Sequence, residues 1–467
     1  MPAGTIKRLP GIVAESKYFG LLTALVAVFV CLVAALPAAA APHVPGELVV
    51  KYRAGSSDAT RAAARQAAGV RTASAVDART ERVTVLGSSV QAAASALERQ
   101  DSVVHAVPNY VAKATVFAPN DPGKAGPGGW ATLQWNFTGP FGINVGAAWE
   151  NAIVAGNSGG GGVKVAVLDT GVAYRTSPDR RYLLAPDLDR ARFVGGYDFV
   201  RDNRLPYDRN GHGTFVTGVI AQATNNGIGL TGVAYRSRIM PVRVLDFEGK
   251  GDVATIARGI RFAARRGARV INMSFEFDIG LTSSEIPDVL SAVRYAHRRG
   301  AVMVAAAGNT EETRIAYPAR ARQVIAVGAT TEHGCVADYS NSGNGLDLVA
   351  PGGGADAFID TDANCRPLED PGRDVYQFTF RGVSPRRFGL PSGYEGTSMA
   401  VPHVSGTIAL LLGARTLGER PSPEAIKSRL ETTARDLGTP GYDQLYGWGL
   451  LNSAAATTPP APPPATP

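Results

Sequence analysis

The sequence predicts an α/β chain: a mostly parallel sheet with helices on both faces, preceded by a small α+β unit. Three observations carry that prediction. From Trp130 to about Ala456, near-continuous apolar runs alternate with helical patterns, as in sheets buried on both sides. Residues 42–114 carry a strand–helix–strand–helix–strand order of their own. A Pro/Gly-rich stretch, TVFAPNDPGKAGPGG at 115–129, separates the two as a linker.

Composition bounds the reading. A chain of 467 residues has room for two or three folded units. Its 45% hydrophobic content excludes wholesale disorder, and its 54 Gly show no three-residue period, which excludes collagen. Three cysteines (Cys31, Cys335, Cys365) exclude a four-Cys metal site. The net charge of +7 is uneven: residues 1–117 hold 12 Lys/Arg against 7 Asp/Glu, and the remainder holds 35 against 33. With no basic run interleaved with aromatics, nucleic acid is not an expected partner.

The elements follow in chain order. Lys7, Arg8 and Lys17 precede an apolar stretch from Phe19 to Leu36, then Pro37 and an Ala run to Ala41. That pattern predicts a secretory signal peptide over 1–41 and an extracellular protein. The 18-residue stretch also reaches the length of a membrane anchor, the alternative fate. Glu47–Tyr52 alternates as a strand, Ala59–Ala68 is a helix closed by Gly69, and Val83–Leu86 is a second strand. Ser89–Gln100 is a second helix and Val103–Val111 a third extended run. The order suits a split βαβ, ferredoxin-like fold, and its place between signal and main domain argues for a propeptide over 42–117. In the main domain, 118–456, strands are expected at 164–168, 239–245, 270–273 and 302–307, with helices at 253–266 and 285–299. The last eleven residues, TTPPAPPPATP at 457–467, hold six Pro and form an extended tail.

Reactive groups in such sheets gather at the carboxyl ends of strands and the amino ends of helices. Asp169 ends the strand VAVL, His212 sits between glycines in NGHGT before a helical run, and Ser398 sits in GTSMA ahead of an apolar helix. A serine hydroxyl attacks a carbonyl only when an imidazole takes its proton, and that imidazole needs a carboxylate to fix its tautomer. A helix start offers the resulting oxyanion a backbone N–H, and Asn309, after the strand ending AAAG, can add a side-chain amide. Each residue alone has a bland structural reading; the combination points to acyl transfer. His403, five residues beyond Ser398, lies more than a turn down the same helix and is expected to be a packed core residue.

At these positions the chain resembles the subtilisin-like serine peptidase family. VAVLDTGV (165–172), NGHGTFVTG (210–218), INMS (271–274), AAAGN (305–309), YPA with VIAVGAT (317–330) and GTSMAVPHVSG (396–406) match its blocks in its order. The resemblance implies that Asp169 orients, His212 is general base and acid, Ser398 attacks and Asn309 completes the oxyanion hole. It implies protein or peptide substrates and a monomer whose propeptide inhibits it until the enzyme cuts between about Lys113 and Asn120. It also implies calcium held by Asp121, Asp187 and Asn226, whose oxygen donors suit a hard cation. Ser274, Phe275, Glu276, Ala307 and Ala316 are expected to border the substrate, with Phe275-Glu276-Phe277 replacing a small pair common in the family. The alanines favour apolar or aromatic side chains, and Glu276 is expected to point to solvent rather than to select basic ones. Phe215 is expected near a second substrate subsite. Cys335 and Cys365 are either bridged or free thiols, and the stretch 352–394 has no assigned place.

Two rival readings differ in class. A catalytically silent secreted scaffold has no reason to hold Asp169, His212, Ser398 and Asn309 together. An esterase on another hydrolase fold wants a Gly-x-Ser-x-Gly elbow and Ser before Asp before His, whereas Ser398 lies between Thr397 and Met399 with Gly only at 396, and the chain order is Asp, His, Ser.

Overall fold

The computed structural model describes residues 43–110, 117–369 and 371–460. The expected signal peptide, the start of the linker and most of the Pro-rich tail lie outside the described residues. The chain divides into two compact units, at Thr115 and Val116.

The first unit runs β1 (His43–Tyr52), α1 (Asp58–Ala67), β2 (Val70–Asp77), β3 (Thr80–Val85), α2 (Val90–Glu98) and β4 (Val103–Tyr110). Its four strands lie in the order β2-β3-β1-β4, all antiparallel, which is the ferredoxin-like arrangement the sequence predicts. Ser57 and Ser89 cap the two helices by accepting from Thr60 N and Ala92 N. Leu48, Val50, Tyr52, Val83 and Leu97 fill the core between helices and sheet. The strand β2 was not expected. It is an edge strand of small and polar residues, joined to β3 by a turn in which Asp77 accepts from Arg79 N.

The second unit begins with α3 (Trp130–Leu133), α4 (Trp135–Thr138), α5 (Val145–Val154), β5 (Lys164–Asp169), β6 (Tyr197–Asp198), α6 (His212–Ala221) and β7 (Arg238–Arg243). It continues through α7 (Val253–Arg265), β8 (Val270–Met273), α8 (Pro287–Arg298), β9 (Val302–Ala306), β10 (Val324–Thr330) and β11 (Leu348–Pro351). The short strands β12 (Thr379–Phe380) and β13 (Phe388–Gly389) precede α9 (Thr397–Gly413), α10 (Pro423–Thr433) and α11 (Ser453–Thr457). Seven strands form one parallel sheet in the order β11-β10-β9-β8-β5-β7-β6. The period-two alternation of each strand sorts its side chains between two cores. Val165 and Val167 face α5, α6 and α9, whereas Ala166 and Leu168 face α7 and α8. Burial of each such Val or Leu contributes roughly 1.5–3 kcal/mol, so both faces resist exposure.

His403 is fully buried, with Nε2 2.7 Å from Asn136 Nδ2 and Nδ1 2.8 Å from Met399 O. Burial pushes its imidazole down to about 4, so it stays neutral, as expected of a core residue. Cys335 and Cys365 form a disulfide, closing a loop of 30 residues at the start of the stretch the sequence could not place.

Candidate active site

Strand order reverses between β5 and β8, and the crevice beyond their carboxyl ends is where such sheets present ligands. Asp169 is the last residue of β5. Leu168 pairs with Met273, which leaves Asp169 and Ser274 side by side just past the register. Asp169 is fully buried; its Oδ1 accepts from Thr170 N at 2.7 Å and lies 2.8 Å from His212 Nδ1, with Oδ2 at 3.0 Å. A carboxylate facing Nδ1 fixes the proton there and leaves Nε2 as the basic nitrogen. Burial alone would push the His212 imidazole down, but the Asp169 and Asp208 carboxylates outweigh it and hold it above the ordinary histidine range. The ring keeps 23% of its surface open, enough to meet a substrate.

His212 opens α6, and its place depends on groups the sequence reading missed. Buried Asp208 accepts from Asn210 N, Gly211 N, Thr214 N and the hydroxyls of Thr170 and Thr214. It thereby ties the helix start to the residue after Asp169. The signal was present: an Asp a few residues ahead of a helix, with Thr just inside it, is a capping pattern. Gly213 permits the close approach, since a Cβ there would lie 2.2 Å from Gly171 O and 3.0 Å from Asp169 Oδ1. The unplaced stretch 352–394 supports the same turn. Thr379 Oγ1 donates to Gly211 O at 2.7 Å, and a Cβ on Gly211 would lie 3.1 Å from the Phe380 ring.

Ser398 is the second residue of α9. Its Oγ donates to Ser274 O at 3.0 Å, and Ser274 Oγ donates back to Ser398 O at 2.9 Å. The second bond has a local cause. Pro402 has no N–H to give the carbonyl four residues earlier, so Ser398 O is free to accept from across the crevice. Among the described residues the Ser398 hydroxyl bonds Ser274 and not the His212 ring. Asn309 is oriented by Thr397, whose N and Oγ1 donate to Asn309 Oδ1 at 2.8 and 2.9 Å. That fixes the amide and frees Nδ2. A Cβ on Gly396 would lie 3.8 Å from both Asn309 Nδ2 and Ser398 N, so glycine keeps the space between those two donors clear.

The other expected residues divide. Asp121, Asp187 and Asn226 come together: Asp121 accepts from Asn225 N and Asn226 N, and Asn226 Nδ2 donates to Asp187 Oδ1 at 2.8 Å. Both carboxylates are fully buried, and no cationic side chain among the described residues pairs with them. Burial pushes Asp121 up and Asp187 up to about 8. No cluster of three or more His, Cys, Asp or Glu suited to a metal occurs among the described residues.

Around the substrate, Phe275, Ala307 and Ala316 are core residues on the α7–α8 side of the sheet or beside it, and Ser274 is held against Ser398. They can offer backbone to a substrate but little side-chain surface. Ala306 faces the opposite core, because successive strand residues alternate. The expectation for Glu276 is corrected: its carboxylate turns inward and its Oε2 is buried. Phe215 is also corrected. It is fully buried and stacks on Tyr394 at 4.2 Å, so Tyr394 covers it from any subsite.

Residues 160–449 match the family model described as the subtilase family, and residues 33–109 match a fervidolysin N-terminal prodomain. A thermophilic serine proteinase from Bacillus sp. (strain AK1) is 34% identical over 417 residues, covering 89% of this chain and 88% of the relative. Thermitase from Thermoactinomyces vulgaris is 33% identical over 340 residues, 73% of this chain and 99% of that protein. Subtilisin BL from Lederbergia lenta is 37% identical over 298 residues, 64% and 91%. Among solved structures, a protease from Pseudoalteromonas arctica PAMC 21717 superposes with a TM-score of 0.58 at 30% identity, covering 73% of this chain and 99% of its own.

Proposed function

Since the chain belongs to the subtilase family and is a serine endopeptidase with an N-terminal prodomain, we propose that Asp169, His212 and Ser398 are its catalytic triad. The observation that carries this reading is the His212–Asp169 pair at the end of β5, with Ser398 pinned to the neighbouring strand end through Ser274. Ser398 Oγ swings from Ser274 O toward His212 Nε2, gives up its proton and bonds the substrate carbonyl carbon. The Asn309 amide and the Ser398 backbone N–H receive the oxyanion. His212 then protonates the leaving amine, and the acyl-enzyme remains. Water, deprotonated by His212, attacks the ester; Ser398 recovers its proton and the acid product leaves. A serine-directed sulfonyl fluoride is expected to add one sulfonyl group, on Ser398, as peptidase activity is lost. Peptide mapping that finds the group elsewhere, with Ser398 unmodified, counts against the triad.

The maturation reading follows. Residues 1–41 direct export and are removed, 42–117 act as chaperone and inhibitor, and the enzyme cuts itself free between about Lys113 and Asn120. Residues 118–456 are the working peptidase and 457–467 its tail. The prodomain match over 33–109 and the division of the chain near Thr115 support a prodomain ahead of a separate peptidase domain.

Calcium is proposed at Asp121, Asp187 and Asn226, where two buried carboxylates without a cationic partner fit a hard cation. A bound cation there would supply the missing positive charge and tie the mature start to the loop after α6. The pH dependence has a definite sign. Asp187 titrates near 8 in the fold, well above its unfolded value. Without a cation, stability is therefore lost as pH rises from about 4 toward 8. Chelation is expected to lower Tm, and to lower it more at pH 8 than at pH 5. Equal melting with and without EDTA at pH 8 removes the proposal.

A further inference from the structure

One half-buried charge beside the proposed oxyanion hole has no task in the mechanism. Glu276 follows β8 on the strand end that carries Ser274. Its Oε2 is buried without a hydrogen-bond partner, and no ion pair to it forms among the described residues. A Cβ on Gly308, the residue before Asn309, would lie 2.8 Å from that oxygen. The nearby Asn341 amide makes no hydrogen bond to that oxygen. Its oxygen accepts from Thr310 N, Thr310 Oγ1 and Glu312 N, and its Nδ2 faces Ala307 O. Burial pushes the Glu276 carboxyl above the ordinary carboxylate range, with the Asn309 backbone N–H offsetting only part of that. A carboxylate oxygen buried without a partner is costly, and in native proteins such an atom calls for one.

The geometry of the reaction supplies one. The carbonyl under attack lies between Ser398 Oγ and the Asn309 amide, so the side chain on its acyl side springs from the carbon next to that point. We propose that Glu276 receives a cationic side chain there, so that the enzyme cleaves after Lys or Arg. This rests on the Ser398–Asn309 reading above. Half-buried Phe277, the next residue along from Glu276, offers the apolar stem a ring to pack on. The Glu276 oxygens meet the charged tip, and a charge-assisted hydrogen bond replaces the orphaned acceptor.

The test uses the mature enzyme and four peptide anilides that differ only in the residue before the scissile bond: Lys, Arg, Leu or Phe. The expected kcat/KM for Lys and Arg exceeds that for Leu and Phe by roughly 10²-fold, and Glu276→Gln brings the ratio close to one. A wild-type preference for Leu or Phe overturns the proposal, as does a ratio that Glu276→Gln leaves in place. If the variant does not fold, the wild-type ratio alone decides. Casein separates the two levels: casein cut without preference for Lys or Arg refutes only the role of Glu276. Failure to cut casein or any anilide refutes the peptidase reading with it.

Discussion

Ser398→Ala is expected to reduce peptide hydrolysis by about 10⁶-fold, a magnitude carried over from subtilisin rather than derived from this geometry. The variant should still fold. The change removes the bond from Ser398 Oγ to Ser274 O, which is worth about 1 kcal/mol. The reciprocal bond from Ser274 Oγ to Ser398 O remains, because Pro402 still leaves that carbonyl free. Without a nucleophile the chain cannot cut itself, so the prodomain should stay attached. Intact-mass measurement on the purified variant should show a species that includes residues 42–117. A small amount of wild-type enzyme added in trans should then trim it near Lys113–Asn120. Mature-length protein from the variant alone would show that another protease does the processing.

The groups of the proposed triad, and the Asn309 amide, were legible because each sits where local pattern is enough. Asp169 ends an apolar strand, His212 and Ser398 open helices beside glycines, and Asn309 follows a strand through Gly308. What was not legible is set by contacts distant in sequence. The stretch 352–394 has no periodicity, and its place comes from Thr379 against Gly211, Tyr394 against Phe215 and the bond from Cys365 to Cys335. Phe215 read as a neighbour of a substrate subsite because the ring that covers it lies far along the chain. Glu276 read as solvent-facing because a charged residue just past a buried strand usually leaves the protein. Its inward turn depends on the space left by Gly308, which no local rule announces. The strand β2 escaped for the opposite reason: as an edge strand it buries little and needs no apolar alternation.

Asp169→Asn separates orientation from charge at the same position, and its expected cost is about 10⁴-fold in kcat. In the native site Asp169 Oδ1 holds Thr170 N and faces His212 Nδ1, with Oδ2 on the same ring nitrogen. An asparagine oxygen can keep the bond to Thr170, which places its NH2 where Oδ2 was. That group donates to Nδ1, shifts the proton to Nε2, and leaves no base facing Ser398. The loss should fall on kcat with KM little changed, because nothing that touches bound substrate is altered. The residual activity should also change its pH dependence. Burial pulls the His212 imidazole down and Asp169 is the foremost charge holding it up, with Asp208 the lesser one. Removing the Asp169 charge lowers the imidazole, so the acid limb of kcat/KM, where His212 becomes protonated, moves to lower pH. A variant with the wild-type limb and less than tenfold loss would mean that Asp169 merely closes a turn.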